Sequence, residues 1–566
     1  MPQRRMQRPR PLMQCIATII CLLSLLHSFQ GVQARLQRQV IPANASDPLL
    51  LVNTTSGQVM GKRRSSTSYA YLGIPYGNPT NGINRFRAPT MRNYSTGIID
   101  ATDFAPACPQ SVSELSGMVN SFTGSPAPPT SQQSEDCLSI NVFVRTSNRA
   151  AAPALKNGTG GAAVMIWIYG GSFQYGTASH SLYDAQKFVE SQPDLIVVSF
   201  DYRTNIFGFP LSPQIRTADA KVGWNRGLED RDLAIEWVYQ NIAAFGGDPN
   251  RITLFGESAG GVAVDTWAFS NANTAQPRVK GIIVQSGAVQ GLDLALSEAS
   301  SDWTRPSSVW NQVANHALVG CGLVNDAAQL ACMQQVDFSL LVQAIEALNL
   351  QFGPAADNIR YWSDWRGRSS QGRFSRVPLM IGTNADEGTI LTGLWLTDIA
   401  QMLSTSTLTT PLLFTCPAKQ EATDRVAFGV PTWRYQYHGN WANMNSGITS
   451  MGSFHFSEVP IVFRTFPPHY LSDPSHTVNI TQQQNAVGLW MQAAWATFAR
   501  DPQNGLSKFG WPRYAPLAGR TLAHIAKNNS AAVRYESAQP LDLGCGLGVP
   551  LESGVYQLLK NLGSVF

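Results

Sequence analysis

The sequence predicts an α/β fold built on a mostly parallel β-sheet with helices on both faces. Three observations predict it. Ala163–Tyr169, Leu195–Phe200 and Ile252–Phe255 are nearly continuous apolar runs, as in strands buried on both faces of a parallel sheet. Between the last two lies a helical pattern from about Arg231 to Phe245, with Leu233, Ala234, Trp237, Val238, Ile242 and Phe245 on one face. The third run leads through a glycine-flanked turn into Gly261-Val262-Ala263-Val264, which can start a helix. Strand, helix, turn and strand in this succession define the class.

The helical pattern stops at Gly246-Gly247-Asp248-Pro249, a strong termination signal. Ala150–Gly161, rich in Ala and Gly, reads as an exposed loop and not a domain linker, because a strand follows at once. The 566 residues are 44% apolar and 14% charged, ample for a large core. Length alone would allow several domains. Without repeats or linkers, residues 35–566 read as one domain.

Residues 1–34 read as a signal peptide. Arg4, Arg5, Arg8 and Arg10 precede a mostly apolar run from Cys15 to Leu26, and Val32-Gln33-Ala34 offers a small-residue cleavage pattern. The run is too short to span a bilayer, and neither a second span nor a C-terminal lipid-anchor signal is seen. The leader takes four of the 41 basic residues and none of the 37 acidic ones, leaving a balanced chain. Balance without basic runs argues against nucleic acid as a partner. The expected location is extracellular.

Outside the leader the cysteines are Cys108, Cys137, Cys321, Cys332, Cys416 and Cys545, an even number that suits disulfides in a secreted chain. No C-x-x-C and no His/Cys cluster occurs, so neither a metal nor another cofactor is expected. Asn44, Asn53, Asn93, Asn157, Asn479 and Asn528 stand in Asn-x-Ser/Thr sites and fit a glycosylated surface.

The sharpest chemical signal is Gly256-Glu257-Ser258-Ala259-Gly260 between the third strand and its helix. So tight a turn strains the central residue, needs glycines two positions to either side, and lifts a serine hydroxyl clear of the sheet. Serine becomes a nucleophile only when a base takes its proton, and the base works best when a carboxylate fixes its tautomer. In this arrangement the acid and then the base follow the serine. Downstream lie His316, His438, His455, His469, His476 and His524, and spacing does not choose among them. His469 and His476 sit among Pro and Ser, His438 follows a strand-like aromatic run, and His455 lies in a loop between apolar elements.

From about residue 48 the chain resembles the type-B carboxylesterases, which have the α/β-hydrolase fold and include cholinesterases and fungal lipases. Matching motifs are Tyr71-Leu72-Gly73-Ile74-Pro75-Tyr76-Gly77, Ser134-Glu135-Asp136-Cys137-Leu138, Trp167-Ile168-Tyr169-Gly170-Gly171 and Phe245–Gly261. The resemblance implies Ser258 as nucleophile, Glu387 of Thr383-Asn384-Ala385-Asp386-Glu387-Gly388 as acid, and His455, followed by Glu458, as base. Asp386 is the alternative acid. Ala259, directly after the nucleophile, should give one oxyanion-hole N–H; the resemblance adds those of Gly171 and Ser172. The family usually has glycine where Ser172 stands, which bears on the width of the acyl pocket. It also implies an Arg85–Glu135 ion pair and the bridges Cys108–Cys137, Cys321–Cys332 and Cys416–Cys545. Glu257 either tunes charge at the site or holds the fold.

The implied activity is secreted serine-dependent hydrolysis of small-molecule carboxylic esters. In cholinesterases the loop matching Pro109–Asp136 carries a tryptophan for a quaternary ammonium; here its only aromatic is Phe122, which disfavours choline esters. The loop also lacks the 3.6-period stripe of an amphipathic lid, favouring soluble or medium-chain esters over an interfacial lipase or sterol esterase. A non-catalytic adhesion protein of the same fold would have lost the serine, and nothing suggests the gating domain of a peptidase.

Overall fold

The computed structural model describes residues 47–111, 128–155, 159–218, 221–291, 304–322, 326–393, 406–470 and 473–545. The leader, Asn44, Asn157 and Phe122 lie outside them.

Among the described residues, eleven strands form one sheet. Its centre is seven parallel strands: β1 Ala162–Ile168, β2 Leu195–Phe200, β3 Gly247–Glu257, β4 Val279–Gln285, β5 Leu379–Asn384, β6 Thr432–Tyr437 and β7 Leu522–Ile525. Their spatial order is β2-β1-β3-β4-β5-β6-β7. Antiparallel strands flank them: Ser139–Arg145, Ser68–Pro75 and Lys62–Arg63 beside β2, and Arg534–Glu536 beside β7. A separate three-stranded sheet holds Leu51–Thr54, Gly57–Met60 and Ser95–Asp100. Every residue of β1 and β2 is buried, as expected of strands covered on both faces.

The helix expected at 231–245 begins earlier. Helix α1 spans Arg226–Asn241, continues as a 3-10 turn over Ile242–Phe245 and stops at Gly246, whose φ is 93°. Its first turn buries charge: Arg226 pairs with Glu229 at 2.9 Å, and Asp230 with Arg203 at 2.7 Å. An apolar period cannot register a turn held by ion pairs. Part of the expected 150–161 loop is helical too, in Thr146–Ala151 and Ala152–Ala154, consistent with the high helix propensity of alanine.

The three disulfides connect Cys108–Cys137, Cys321–Cys332 and Cys416–Cys545. Arg85 grips Glu135 through two bonds of 2.6 Å and donates to Met333 O at 2.9 Å, tying three distant segments together. Asn53, Asn93, Asn479 and Asn528 are exposed, as glycan acceptors must be. Register brings the carboxyl ends of β1, β3, β4 and β5 level, pairing Ile168 with Gly256, Glu257 with Gln285, and Gln285 with Gly382. At such an edge open α/β sheets place their sites.

Candidate active site

Strand β3 ends at Glu257 and helix α2, Ala259–Ser270, starts two residues later. Ser258 between them has φ 55° and ψ −127°, a conformation costing about 1–3 kcal/mol for a non-glycine residue. The flanking glycines are a steric necessity. A Cβ on Gly256 would lie 2.5 Å from Gly260 O, and one on Gly260 would lie 2.0 Å from Ile168 O.

Glu387 follows β5 and is fully buried. Its Oε1 accepts from Asn384 N at 2.7 Å, and its Oε2 lies 2.7 Å from His455 Nδ1. Asp386 points elsewhere, accepting from Ser453 N at 2.9 Å and Ser453 Oγ at 3.1 Å. The first carboxylate holds the ring and its neighbour holds the loop carrying the ring. The other downstream histidines have their own local contacts. His438 and His524 meet each other at 2.7 Å, His469 contacts Tyr470 O, His476 stacks on Tyr470, and His316 accepts from Leu318 N.

Three buried carboxylates surround His455. Glu257 Oε1 lies 3.2 Å from His455 Nε2, though without hydrogen-bond geometry. Glu458 is fixed by Asn384 Nδ2 at 2.7 Å and Gln285 Nε2 at 3.0 Å. Burial opposes the charge on the imidazole, but Glu257 first and Glu387 next outweigh it, so the ring is held more basic than an ordinary histidine. Burial pushes the Glu257 carboxyl up as well, helped by repulsion from Glu458 and Glu387 and opposed by His455. Glu458 is also raised, by burial and then by Glu387. In the sequence Glu458 stands only as part of the His455 motif; its place as a hydrogen-bonding hub depends on Asn384 and Gln285, far away in the chain.

The loop after β1 runs through left-handed backbone, with φ of 106° at Gly171, 55° at Ser172 and 61° at Phe173. A Cβ on Gly170 would sit 2.8 Å from Glu257 O, so this loop presses against the serine turn. Ser172, Ser258 and Ala259 line a cavity of about 30 Å³ together with Leu413 and Phe414. The Phe414 ring lies 4.9 Å from that of His455. No local pattern in the sequence marks Leu413 or Phe414, because they stand on a six-residue π-helical turn, Thr410–Thr415. Among the described residues no cluster of His, Cys, Asp and Glu is arranged to hold a metal, and no helix is long and apolar enough to cross a membrane.

The sheet order and its flanking helices define an α/β-hydrolase. The chain belongs to the carboxylesterase family, whose pattern matches residues 48–407. It is 31% identical to Secreted lipase 5 of Gibberella zeae over 87% of this chain and 93% of that protein. Against the chlorogenic acid esterase of Aspergillus niger it is 32% identical over 81% of this chain and 83% of that one. Among solved structures, a PNB esterase superposes with a TM-score of 0.66 and 26% identity, over 87% of this chain and 98% of that one.

Proposed function

We propose that this protein is a secreted serine esterase, and that Ser258, His455 and Glu387 are its catalytic triad. The observation that supports this best is the 2.7 Å contact between His455 Nδ1 and Glu387 Oε2, with the opposite ring nitrogen 3.2 Å from Glu257, the residue before Ser258. Nδ1–H donates to Glu387, which leaves Nε2 free to accept the Ser258 proton as Oγ attacks the ester carbonyl carbon. Negative charge moves onto the carbonyl oxygen. The N–H groups of Gly171, Ser172 and Ala259 are the proposed donors to it, each worth about 3 kcal/mol. Collapse of the adduct breaks the C–O bond to the alcohol, which leaves with the proton from Nε2. Water then repeats the sequence and frees the acid.

Residues 35–566 act as a single catalytic unit after removal of 1–34, carry glycans on some of the Asn-x-Ser/Thr sites, and work on soluble or medium-chain esters. The two curated relatives, a secreted lipase and a chlorogenic acid esterase, support secretion and ester chemistry.

The test is turnover of p-nitrophenyl acetate and butyrate by the purified protein beside Ser258→Ala. Activity should vanish in the variant; ester cleavage that persists there would remove the mechanism. N-terminal sequencing of the exported protein should begin at Arg35.

A further inference from the structure

Gly170 is locked against the serine turn, but the proposed oxyanion donors come after it, on the left-handed backbone of Gly171 and Ser172. Such backbone persists only where its surroundings over-determine it. Part of the support is internal: Gln174 N and Tyr175 N both donate to Gly171 O, at 2.9 and 3.2 Å. The rest comes from outside, from the carboxamides of Gln110 and Asn205, both fully buried.

Gln110 holds the far end of the loop. Its Oε1 accepts from Gly176 N at 2.9 Å and its Nε2 donates to Gly176 O at 3.0 Å, so one side chain grips both polar groups of one residue. Gly176 in turn leans on the start of the loop: a Cβ there would lie 2.6 Å from the Tyr169 ring and 2.9 Å from Gly170 O. Asn205 holds the middle. Its backbone N–H donates to Phe173 O at 2.7 Å, and its Nδ2 donates to Gln174 O at 3.1 Å and Pro109 O at 3.0 Å. Asn205 sits at φ 42°, a left-handed conformation that asparagine tolerates. The two carboxamides therefore fasten 173–176 to one short segment, Pro109-Gln110. That segment is itself fixed, by the Cys108–Cys137 disulfide beside it and by Gln133 Oε1, which accepts from Gln110 N at 2.9 Å. Neither side chain lines the cavity at Ser258, so substituting one leaves the lining of that cavity unchanged.

We propose that Gln110 and Asn205 are positioning residues that hold the N–H groups of Gly171 and Ser172 in the geometry that receives the oxyanion. This rests on the serine-esterase reading and assigns the support of its oxyanion hole. Loosening the loop should weaken binding of the transition state, where the oxyanion exists, and spare binding of a neutral carbonyl compound.

The experiment measures inhibition of p-nitrophenyl butyrate turnover by butyl trifluoromethyl ketone and by butyl methyl ketone, using the full-length protein. On the fluorinated ketone, Ser258 Oγ bonds to the carbonyl carbon, the carbonyl π pair moves onto oxygen, and the serine proton passes to His455 Nε2. The methyl ketone is its neutral, unactivated match. Gln110→Met keeps the length of the side chain and loses every hydrogen bond of the carboxamide. It should weaken the fluorinated inhibitor by about tenfold or more, short of the roughly 10²–10³-fold in kcat that deleting a whole oxyanion donor costs, and move the methyl ketone by less than about twofold. kcat/KM should fall in parallel with the fluorinated inhibitor. Asn205→Gly, which keeps the left-handed backbone accessible, should shift the same way and serves if Gln110→Met does not fold. Inhibition constants do not depend on the active fraction, so a merely structural loss leaves the ratio of the two unmoved. An unmoved ratio in the folded variants, or both ketones weakened alike, would overturn the positioning role while leaving the esterase reading intact. Folded wild type inert toward every ester, or turnover persisting in Ser258→Ala, would overturn both.

Discussion

Replacing Glu387 with glutamine tests the orientation of His455 more sharply than deleting either residue. The side chain keeps its shape, and the structure dictates which end faces the ring. Asn384 N donates to Oε1 at 2.7 Å, so in the variant that site selects the amide oxygen. The amide NH2 then occupies the position of Oε2, 2.7 Å from His455 Nδ1. Facing a donor, Nδ1 must become an acceptor, and the ring proton moves to Nε2. An imidazole protonated at Nε2 cannot take the proton of Ser258. The same acid-to-amide change in the serine-protease triad lowers kcat by about 10⁴-fold with geometry preserved. That corresponds to about 5 kcal/mol of activation free energy, and a similar loss is expected here. The assay is p-nitrophenyl butyrate turnover, with thermal melting to confirm that the variant is folded. Asp386→Asn is the matched control: Asp386 holds the loop backbone through Ser453, so it should cost far less. Folded Glu387→Gln retaining activity within about tenfold of wild type would refute the tautomer argument.

Two further predictions concern charge and covalent constraint. The proposed mechanism requires neutral His455, so activity should be lost as pH falls through its folded pKa, which the carboxylates hold above the ordinary histidine value. Glu257→Gln removes the largest contribution raising it and should move the acid limb of the kcat/KM profile to lower pH; an unmoved limb would show that Glu257 does not act on the ring. Reducing the 129-residue Cys416–Cys545 loop by paired serine substitution should destabilise the fold by about 5 kcal/mol, against about 3 kcal/mol for the 11-residue Cys321–Cys332 loop. Chemical denaturation of the two variants gives the comparison, and the reverse order would contradict the loop-entropy account.

What the sequence disclosed follows the range of the forces involved. The nucleophile turn was legible because its requirement is local: Gly256 and Gly260 leave room for atoms within a few residues or on the next strand. The parallel strands were legible because burial on both faces leaves continuous apolar runs. Helix α1 was only partly legible, since its first turn is secured by Arg226–Glu229 and Arg203–Asp230 and not by an apolar stripe. His455 could not be chosen by spacing, because its partner is 68 residues away and nothing local separates it from five other histidines; the resemblance selected it. Phe414 and Leu413 left no trace, as a π-helical turn has no composition of its own.

The close approach of Gly170 to Ser258, and of Gly260 to Ile168, has a consequence for how such a protein can diversify. Two neighbouring strand ends are interlocked so tightly that the turn holding Ser258 and the loop after β1 have no room to move apart independently. The turn at 410–415 meets this site through side chains, with the Phe414 ring against His455, so a change of side chain there reshapes the cavity without opening the backbone lock. New substrates can then be reached by remodelling the surroundings while the reactive block stays as it is.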